Sequence, residues 1–378
     1  MIDWLGVSHL FDLSLTEKIL GFFTPLIAYV AYILVQIILP GRSFNGYVTN
    51  PDTGHPRRYR LNGLFVFCVF LIVWWFELTG MPRDWLYRST IFAVMGGTVF
   101  TTIFSILTYV LHRKKQKKNR IKAFWTGSVQ ELSLLEGRFD MKMNFYAFGG
   151  VFLVLNALSG AWVHYELFGE DSNPGIFLFT AFFTFYILDY FVLEAVTLYT
   201  FDLIHEGIGF KLYWGSLVVF GWMFTMPLWG MVVYPNPEFG EAWTTILMIV
   251  TSILFLIGWG ISRGSNLQKY TFKRWPERSF LGIPPKFISV GERKILYSGF
   301  WGKARHFGYF GEALIGIAFA LSLGYFLNPW AWTYGIFIMS LCVARERTDD
   351  KFCELKYGSE KWGEYRARAK YRIIPGIY

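Results

Sequence analysis

The chain has 378 residues, of which 54% are hydrophobic, 20% aromatic and only 17% charged, well short of the roughly 25% charged residues of a soluble globule. Its 36 lysines and arginines exceed its 27 acidic residues by nine, so what matters is where the excess sits. Disorder and collagen are excluded, and three scattered cysteines, Cys68, Cys342 and Cys353, cannot make a disulfide framework or a cysteine zinc site.

A lipid span needs about 20 mainly apolar residues, because ~30 Å of hydrocarbon is crossed at ~1.5 Å per residue. Nine stretches qualify in chain order: 19–39, 61–79, 89–111, 145–165, 175–199, 212–234, 242–261, 310–327 and 329–343. The first is read as a retained helix, since Asp3 and Asp12 precede it and no basic n-region or cleavage site accompanies it. The last two are short and predict a hairpin with Asn328 and Pro329 at its tip.

Lysine and arginine mark the cytoplasmic side of a span. Thirty-three of the 36 fall in segments 42–60, 113–142 and 263–305, at Lys211, and in the tail 345–372; only Lys18, Arg83 and Arg88 lie on the other side. This places the N-terminus outside and the C-terminus in the cytoplasm. The run Arg113, Lys114, Lys115, Lys117, Lys118, Arg120 and Lys122 is read as a topology determinant. No aromatic-interleaved basic domain accompanies it, which argues against nucleic acid as a partner. The expected fold is an all-α polytopic membrane helix bundle of about nine spans forming one domain over 1–378, in which 262–378 holds a basic cytoplasmic stretch, the last hydrophobic hairpin and a charged tail.

A carboxylate within a span is costly and is by default a functional hypothesis. Glu77, Asp189, Glu194, Asp202, Glu206 and Glu312 lie in or beside the spans, with His205 next to Glu206. Tyr186 lies three residues before Asp189 and on its side of a helix, whereas Glu194 lies ~140° further round. Tyr186, Asp189 and Glu194 are therefore candidate proton donors, with interhelical hydrogen bonding as the alternative. The His205-Glu206 pair lacks the second histidine of a helical zinc site, since position 209 is glycine, and no metal site is expected.

On the cytoplasmic side Arg263, Asn266, Lys269 and Lys273 follow one another at helical spacing. Two lysines four residues apart repel unless an anion lies between them, and phosphate suits. Further on come Trp301, Arg305, His306 and Tyr309, then Arg345, Asp349, Cys353, Lys356, Tyr357 and Tyr365. Cations for phosphate and rings for stacking make a nucleotide site, although juxtamembrane anchoring uses the same residue types. Rossmann and P-loop glycine patterns are absent from the sequence.

Three ordered blocks make the sequence similar to the sterol carbon–carbon double-bond reductases, a family that includes delta-14, delta-7 and delta-24(28) reductases and the sterol-reductase part of the lamin B receptor. They are residues 263–269, 298–312 and 353–378, preceded by landmarks at Leu39-Pro40-Gly41, Asn62-Gly63, Phe139-Asp140 and Lys142, and Asp202 with His205-Glu206. The similarity covers about 39–378. It implies NADPH-dependent reduction of a sterol in a lipid bilayer, of the endoplasmic reticulum in a eukaryote or the inner membrane in a bacterium. It also allows a tenth span. The cofactor residues carried over are Lys269, Lys273, Leu296, Trp301, Tyr309, Arg345, Asp349, Cys353, Lys356, Tyr357 and Tyr365, with Arg263, Asn266, Arg305, His306 and Gly308 beside them. Segment 262–378 is thus the part expected to bind the cofactor. Proton donation falls to Tyr186, Asp189 and Glu194, or to Asp349 through a tyrosine. Gly308 stands where the family has asparagine, Glu312 where it has aspartate, Thr348 where it has a second tail arginine, and Ser216 where it has aspartate. The block at 301–306 favours the delta-7 and delta-14 branches, whereas Arg345-Glu346-Arg347 and His205-Glu206 lean toward delta-24(28). The alternatives are an isoprenylcysteine-type methyltransferase using S-adenosylmethionine, whose tail is similar, and a non-catalytic sterol-binding protein.

Overall fold

A computed structural model describes residues 7–50, 53–112 and 119–378, with Glu136 described by its backbone alone. Asp3 and Arg113, Lys114, Lys115, Lys117 and Lys118 of the basic run lie outside the described residues. Contacts divide the chain into two compact units, Met1–Asn236 and Pro237–Tyr378.

The first unit opens with helix α1 (Leu15–Ile38), started by a capping box in which Ser14 and Glu17 satisfy each other's backbone N–H groups. Ile19, Phe23, Ile27, Val30, Leu34 and Ile38 form an exposed stripe, while Gly21, Tyr29 and Tyr32 face inward. A hairpin of β1 (Arg42–Thr49) and β2 (Pro56–Leu61) leads to α2 (Gly63–Trp75). Helix α3 (Thr90–Leu111) packs on α1 so closely that a Cβ at Gly96 would strike the carbonyl of Phe22. Small residues permit this approach between membrane helices. Helix α4 (Met141–Phe168), capped by Asp140, is buried along most of its length and forms the centre of this unit beside α5 (Pro174–Val192).

The second unit begins with α6 (Glu241–Arg274), 34 residues without a break and thus about 51 Å long at 1.5 Å per residue. The hairpin of β3 (Phe287–Val290) and β4 (Arg293–Leu296) follows, then α7 (Phe307–Ser322), α8 (Pro329–Tyr357) and α9 (Ser359–Arg368). The α7–α8 hairpin turns where expected. Asn328 accepts the Trp330 N–H at 3.0 Å and Pro329 occupies the first helical position.

Five helices are long and apolar enough to cross a membrane among the described residues, the last being α6. The other expected spans take different forms. Stretch 61–79 yields only the 13 residues of α2 before Glu77 adopts a positive φ of 52°. Stretch 175–199 ends its regular helix at Val192 and restarts at Glu194. Stretch 212–234 is broken into a π-helix (Gly215–Phe220), a 3-10 turn (Met223–Thr225) and a short helix containing Pro227. Apolar composition set these expectations, but glycine, proline and local strain decide continuity. The chain is mostly helical, as expected, and among the described residues three two-stranded hairpins punctuate the helices. Period-2 pairs such as Phe44 opposite Tyr59, both buried, build them within loops that charge had marked only as polar.

Candidate active site

The unbroken α6 carries Arg263, Asn266, Lys269 and Lys273 on consecutive turns beyond its apolar part, as their spacing predicts. Gln268, on the same stretch, ties in the segment after β4: its Nε2 donates to the Ser298 carbonyl at 3.1 Å and its Oε1 accepts the Phe300 N–H at 3.0 Å. Gly299 lies between these contacts at φ +60°, and a Cβ there would collide with the Gln268 amide. Glycine is required on both counts. The indole N–H of Trp301 then donates to the Ser265 carbonyl at 3.0 Å, and Lys269 Nζ sits 5.5 Å from the centre of the Trp301 ring. Gln268 and Ser265 thus fix Trp301, a role that the spacing of the basic residues did not disclose.

The polar half of α8 sorts its acids by face. Asp349 accepts the Tyr309 hydroxyl at 2.7 Å, and the ring of His306 is stacked on Tyr309 at 5.3 Å. Glu346 and Asp350, four residues apart, turn instead toward the C-terminal segment. Asp350 meets Arg305 Nε at 3.3 Å, Arg366 at 2.8 Å and the Trp362 indole N–H at 3.2 Å, and fully buried Glu346 pairs with Arg372 at 3.3 Å. The returning tail is held by backbone bonds from Arg305 to Tyr371 and from His306 to Arg372.

This division redistributes the expected cofactor residues. Arg305 is buried and spends its guanidinium on Asp350 and on the carbonyls of Ala369 and Lys370, at 3.0 and 3.1 Å. It acts as an internal clamp. Tyr365 is also buried, with its hydroxyl on the Trp301 carbonyl at 3.2 Å, and Leu296 ends β4 inside the unit. Lys269, Lys356 and Cys353 are near enough to Lys273 to act on its charge. Lys269, Asp349 and Lys356 likewise act on Cys353, so these groups share one neighbourhood. Lys356 lies over the Tyr357 ring, 5.4 Å from its centre, and Tyr357 stacks on Trp362. Arg345 is half-buried one turn before Asp349, whereas Thr348 points outward and bonds only back to Ala344.

Electrostatics follow from burial. The Cys353 thiol is pushed up to about 11, chiefly by burial and against the pull of Lys269 and Lys356. His306 is pushed down to about 4 by burial, with nearby Arg305 and Lys269 adding to the effect and Asp350 opposing it. Burial also lowers Lys356 below the usual lysine range.

The intramembrane acids do not form one group. Glu194 is buried and its carboxylate accepts the Gly63 N–H at 3.2 Å, serving the start of α2. Tyr186 and Asp189 stay one turn apart on α5, both half-buried. Among the landmark residues, Lys142 is only 1% exposed, and its Nζ reaches Glu131 at 2.8 Å, the Leu203 carbonyl at 2.7 Å and the Glu206 carbonyl at 3.1 Å. It joins two landmark segments, a function its sequence position alone did not disclose.

The donor set suits a nicotinamide dinucleotide phosphate. Lys269, Lys273 and Lys356, which share one neighbourhood, are the residues that would hold its phosphate, and the Trp301 ring beside Lys269 is the one that would stack. The Gly308 departure is compatible with this, since a Cβ there would meet Ser265 Cβ at 3.5 Å and Oγ at 3.8 Å, both ordinary contacts.

The model of the ergosterol biosynthesis ERG4/ERG24 family matches residues 2–378. The chain is 33% identical to the delta(14)-sterol reductase of Methylotuvimicrobium alcaliphilum, over 93% of this chain and 82% of that protein. It is 29% identical to the Arabidopsis thaliana delta(14)-sterol reductase, over 93% and 95%. It is also 29% identical to the Arabidopsis thaliana 7-dehydrocholesterol reductase, over 91% and 82%.

Proposed function

The chain belongs to the ergosterol biosynthesis ERG4/ERG24 family, and from that membership we propose that it reduces a carbon–carbon double bond of a sterol with NADPH, the delta-14 bond first and the delta-7 bond second. The order follows the relatives, of which several are named delta(14)-sterol reductase and one 7-dehydrocholesterol reductase. Membership also removes the motive for a methyltransferase reading. An isolated alkene accepts hydride poorly until it is protonated, so the protein must hold an acid. NADPH, when bound, supplies the hydride that completes the reduction.

The observation that carries the residue assignment is the 2.7 Å hydrogen bond between Tyr309 and Asp349, in the same neighbourhood as the three lysines. When Asp349 is protonated, this bond reverses and the acid donates to the phenol oxygen. Tyr309 then gives its own proton to the alkene and takes the one from Asp349, leaving a carboxylate to be reprotonated from water. Lys269, Lys273 and Lys356 bind phosphate, Arg345 is a further cofactor residue by the family pattern, and Trp301 offers a face for stacking. Arg305 positions the tail. Tyr186 and Asp189 form the second pair able to donate a proton; Glu194, bonded to Gly63, is reserved for structure.

Incubation of the purified protein with NADPH and a panel of delta-7, delta-14, delta-24 and delta-24(28) sterols, read by mass spectrometry, tests the reading. A gain of two hydrogens on the delta-14 sterol supports it. No gain on any panel member sinks the reductase, and in that case NADPH binding without conversion marks a non-catalytic sterol-binding protein.

A further inference from the structure

Immediately after α6 the chain reverses at Trp275–Arg278, where the Arg278 N–H bonds to the Trp275 carbonyl at 3.0 Å. It then makes a second, tighter turn. Phe280 and Ile283 exchange both backbone hydrogen bonds, at 3.0 and 2.9 Å, and the two residues between them, Leu281 and Gly282, have φ of +49° and +76°. Such a turn favours Asn-Gly. A leucine there is strained, and a strained residue that persists is grounds for asking what its side chain does. Leu281 is 76% exposed and Ile283 39%, so water gains nothing from either.

The height of this tip relative to α6 identifies what covers it, given the reading of α6 as a membrane span. The exposed apolar side chains of α6 run from Trp243 through Ile246, Ile249, Val250 and Ile253 to Ile257, and charge begins at Arg263. Gly264 stands three residues, about 4.5 Å, beyond Ile261, inside the interfacial layer of roughly 5–7 Å that flanks the hydrocarbon on each side. The Phe300 ring packs against Gly264, where a Cβ would not fit, and the Phe280 ring lies 6.3 Å from that of Phe300. The chain has therefore come back along α6 from Arg274 toward the membrane surface. From Phe300 the row of rings continues to Phe307 at 6.2 Å and Phe310 at 5.9 Å, into the apolar helix α7.

We propose that the turn Phe280–Ile283 is an interfacial wedge, with Leu281 and Ile283 seated among the headgroups and upper acyl chains of the phospholipid bilayer. Apolar side chains at this depth bind without spanning. The wedge gives the basic segment 263–305 a second point of attachment to the membrane besides α6 itself, continuous with the lipid-facing side of α6 and α7. The membrane fills the role a protein partner would otherwise have, and the strain at Leu281 is retained because asparagine could not occupy that layer.

The test is nitroxide labelling of Leu281→Cys and Ile283→Cys in the full chain, with Cys68→Ser as background and the label on that parental chain subtracted. Glu277→Cys, in the same loop with its side chain 84% exposed, serves as the aqueous reference. The labelled chains are placed in nanodiscs of palmitoyl-oleoyl phosphatidylcholine, and collision rates with oxygen and with a water-soluble nickel chelate are compared. We expect the oxygen-to-nickel ratio at positions 281 and 283 to be several-fold above that at 277. Equal ratios at the three positions would show the tip in water and overturn the wedge, whatever the outcome of the sterol assay.

Discussion

Gly308 is a departure from the pattern of sterol reductases that the structure can accommodate. Its Cβ position opens toward Ser265 with ordinary spacing, so Gly308→Asn should fold and add an amide beside the lysine cluster. One net hydrogen bond is worth about 0.5–1.5 kcal/mol, which predicts a roughly 2–10-fold lower Kd for NADPH by calorimetry; weaker binding would place the residue wrongly. Tyr309→Phe removes the hydroxyl on Asp349. A lost acid-base group costs about 10²–10⁴-fold, and the loss is expected in kcat with little change in NADPH affinity. If kcat holds, the proton comes from elsewhere, and Tyr186 and Asp189 become the residues to replace. His306 gives a pH signature. Its folded-state value of about 4 lies below the ordinary 6.5, so between these values the unfolded chain binds more protons. Stability is fully present above pH 6.5 and falls as pH drops toward 4. In cofactor-free protein His306→Gln should flatten that part of the melting curve against pH, and superimposable curves would contradict it.

At the level of elements, the long helices were legible because their apolar runs exceed 18 residues and their charges lie at the ends, as in α1, α3 and α6. The polar end of α6 was legible too, since Asn266, Lys269 and Lys273 repeat at helical spacing and the helix continues through them. Breaks were not. Hydropathy sums residues without regard to backbone freedom, so it read across Leu193 and through Gly221 and Pro227, where the chain bends. Nor could sequence order tell a clamp from a ligand: Arg305 and Arg345 look alike in a motif, but one is sealed against Asp350 and two carbonyls. Lys142 shows the same limit. Its three acceptors come from Glu131 and the segment 203–206, a juxtaposition created by folding. Lys142→Met removes one partner of a buried pair, an event that typically costs about 3–5 kcal/mol. A large drop in melting temperature in detergent is expected, and an unchanged one would show that the pair contributes nothing.

For the whole chain, the distribution of charge makes a statement that local geometry cannot. Thirty-three of 36 bases fall on one side of the expected spans, which predicts that the tail from Arg345 onward and the segment 263–305 face the cytoplasm, where NADPH is held. Reporter fusions after residues 305 and 378 should both signal cytoplasmic locations; an opposite signal at either would require the topology to be redrawn. With cytoplasmic signals at both, the lysine cluster and the orientation of the helices are two uses of the same positive charge.

The unbroken course of α6 has a mechanical consequence. From Ile257, the last exposed large apolar side chain on α6, to Lys269 is twelve residues of one rod, or about 18 Å. The lipid gauges one end of that rod, and the lysines proposed to bind phosphate ride on the other. One residue inserted between Ile257 and Ser265 would lift the lysines, and Trp301 with them, by ~1.5 Å and swing them by ~100° relative to the lipid-facing side of the helix. Altitude and azimuth are thus coupled in a single helix, and the register of this stretch is fixed more tightly than its composition.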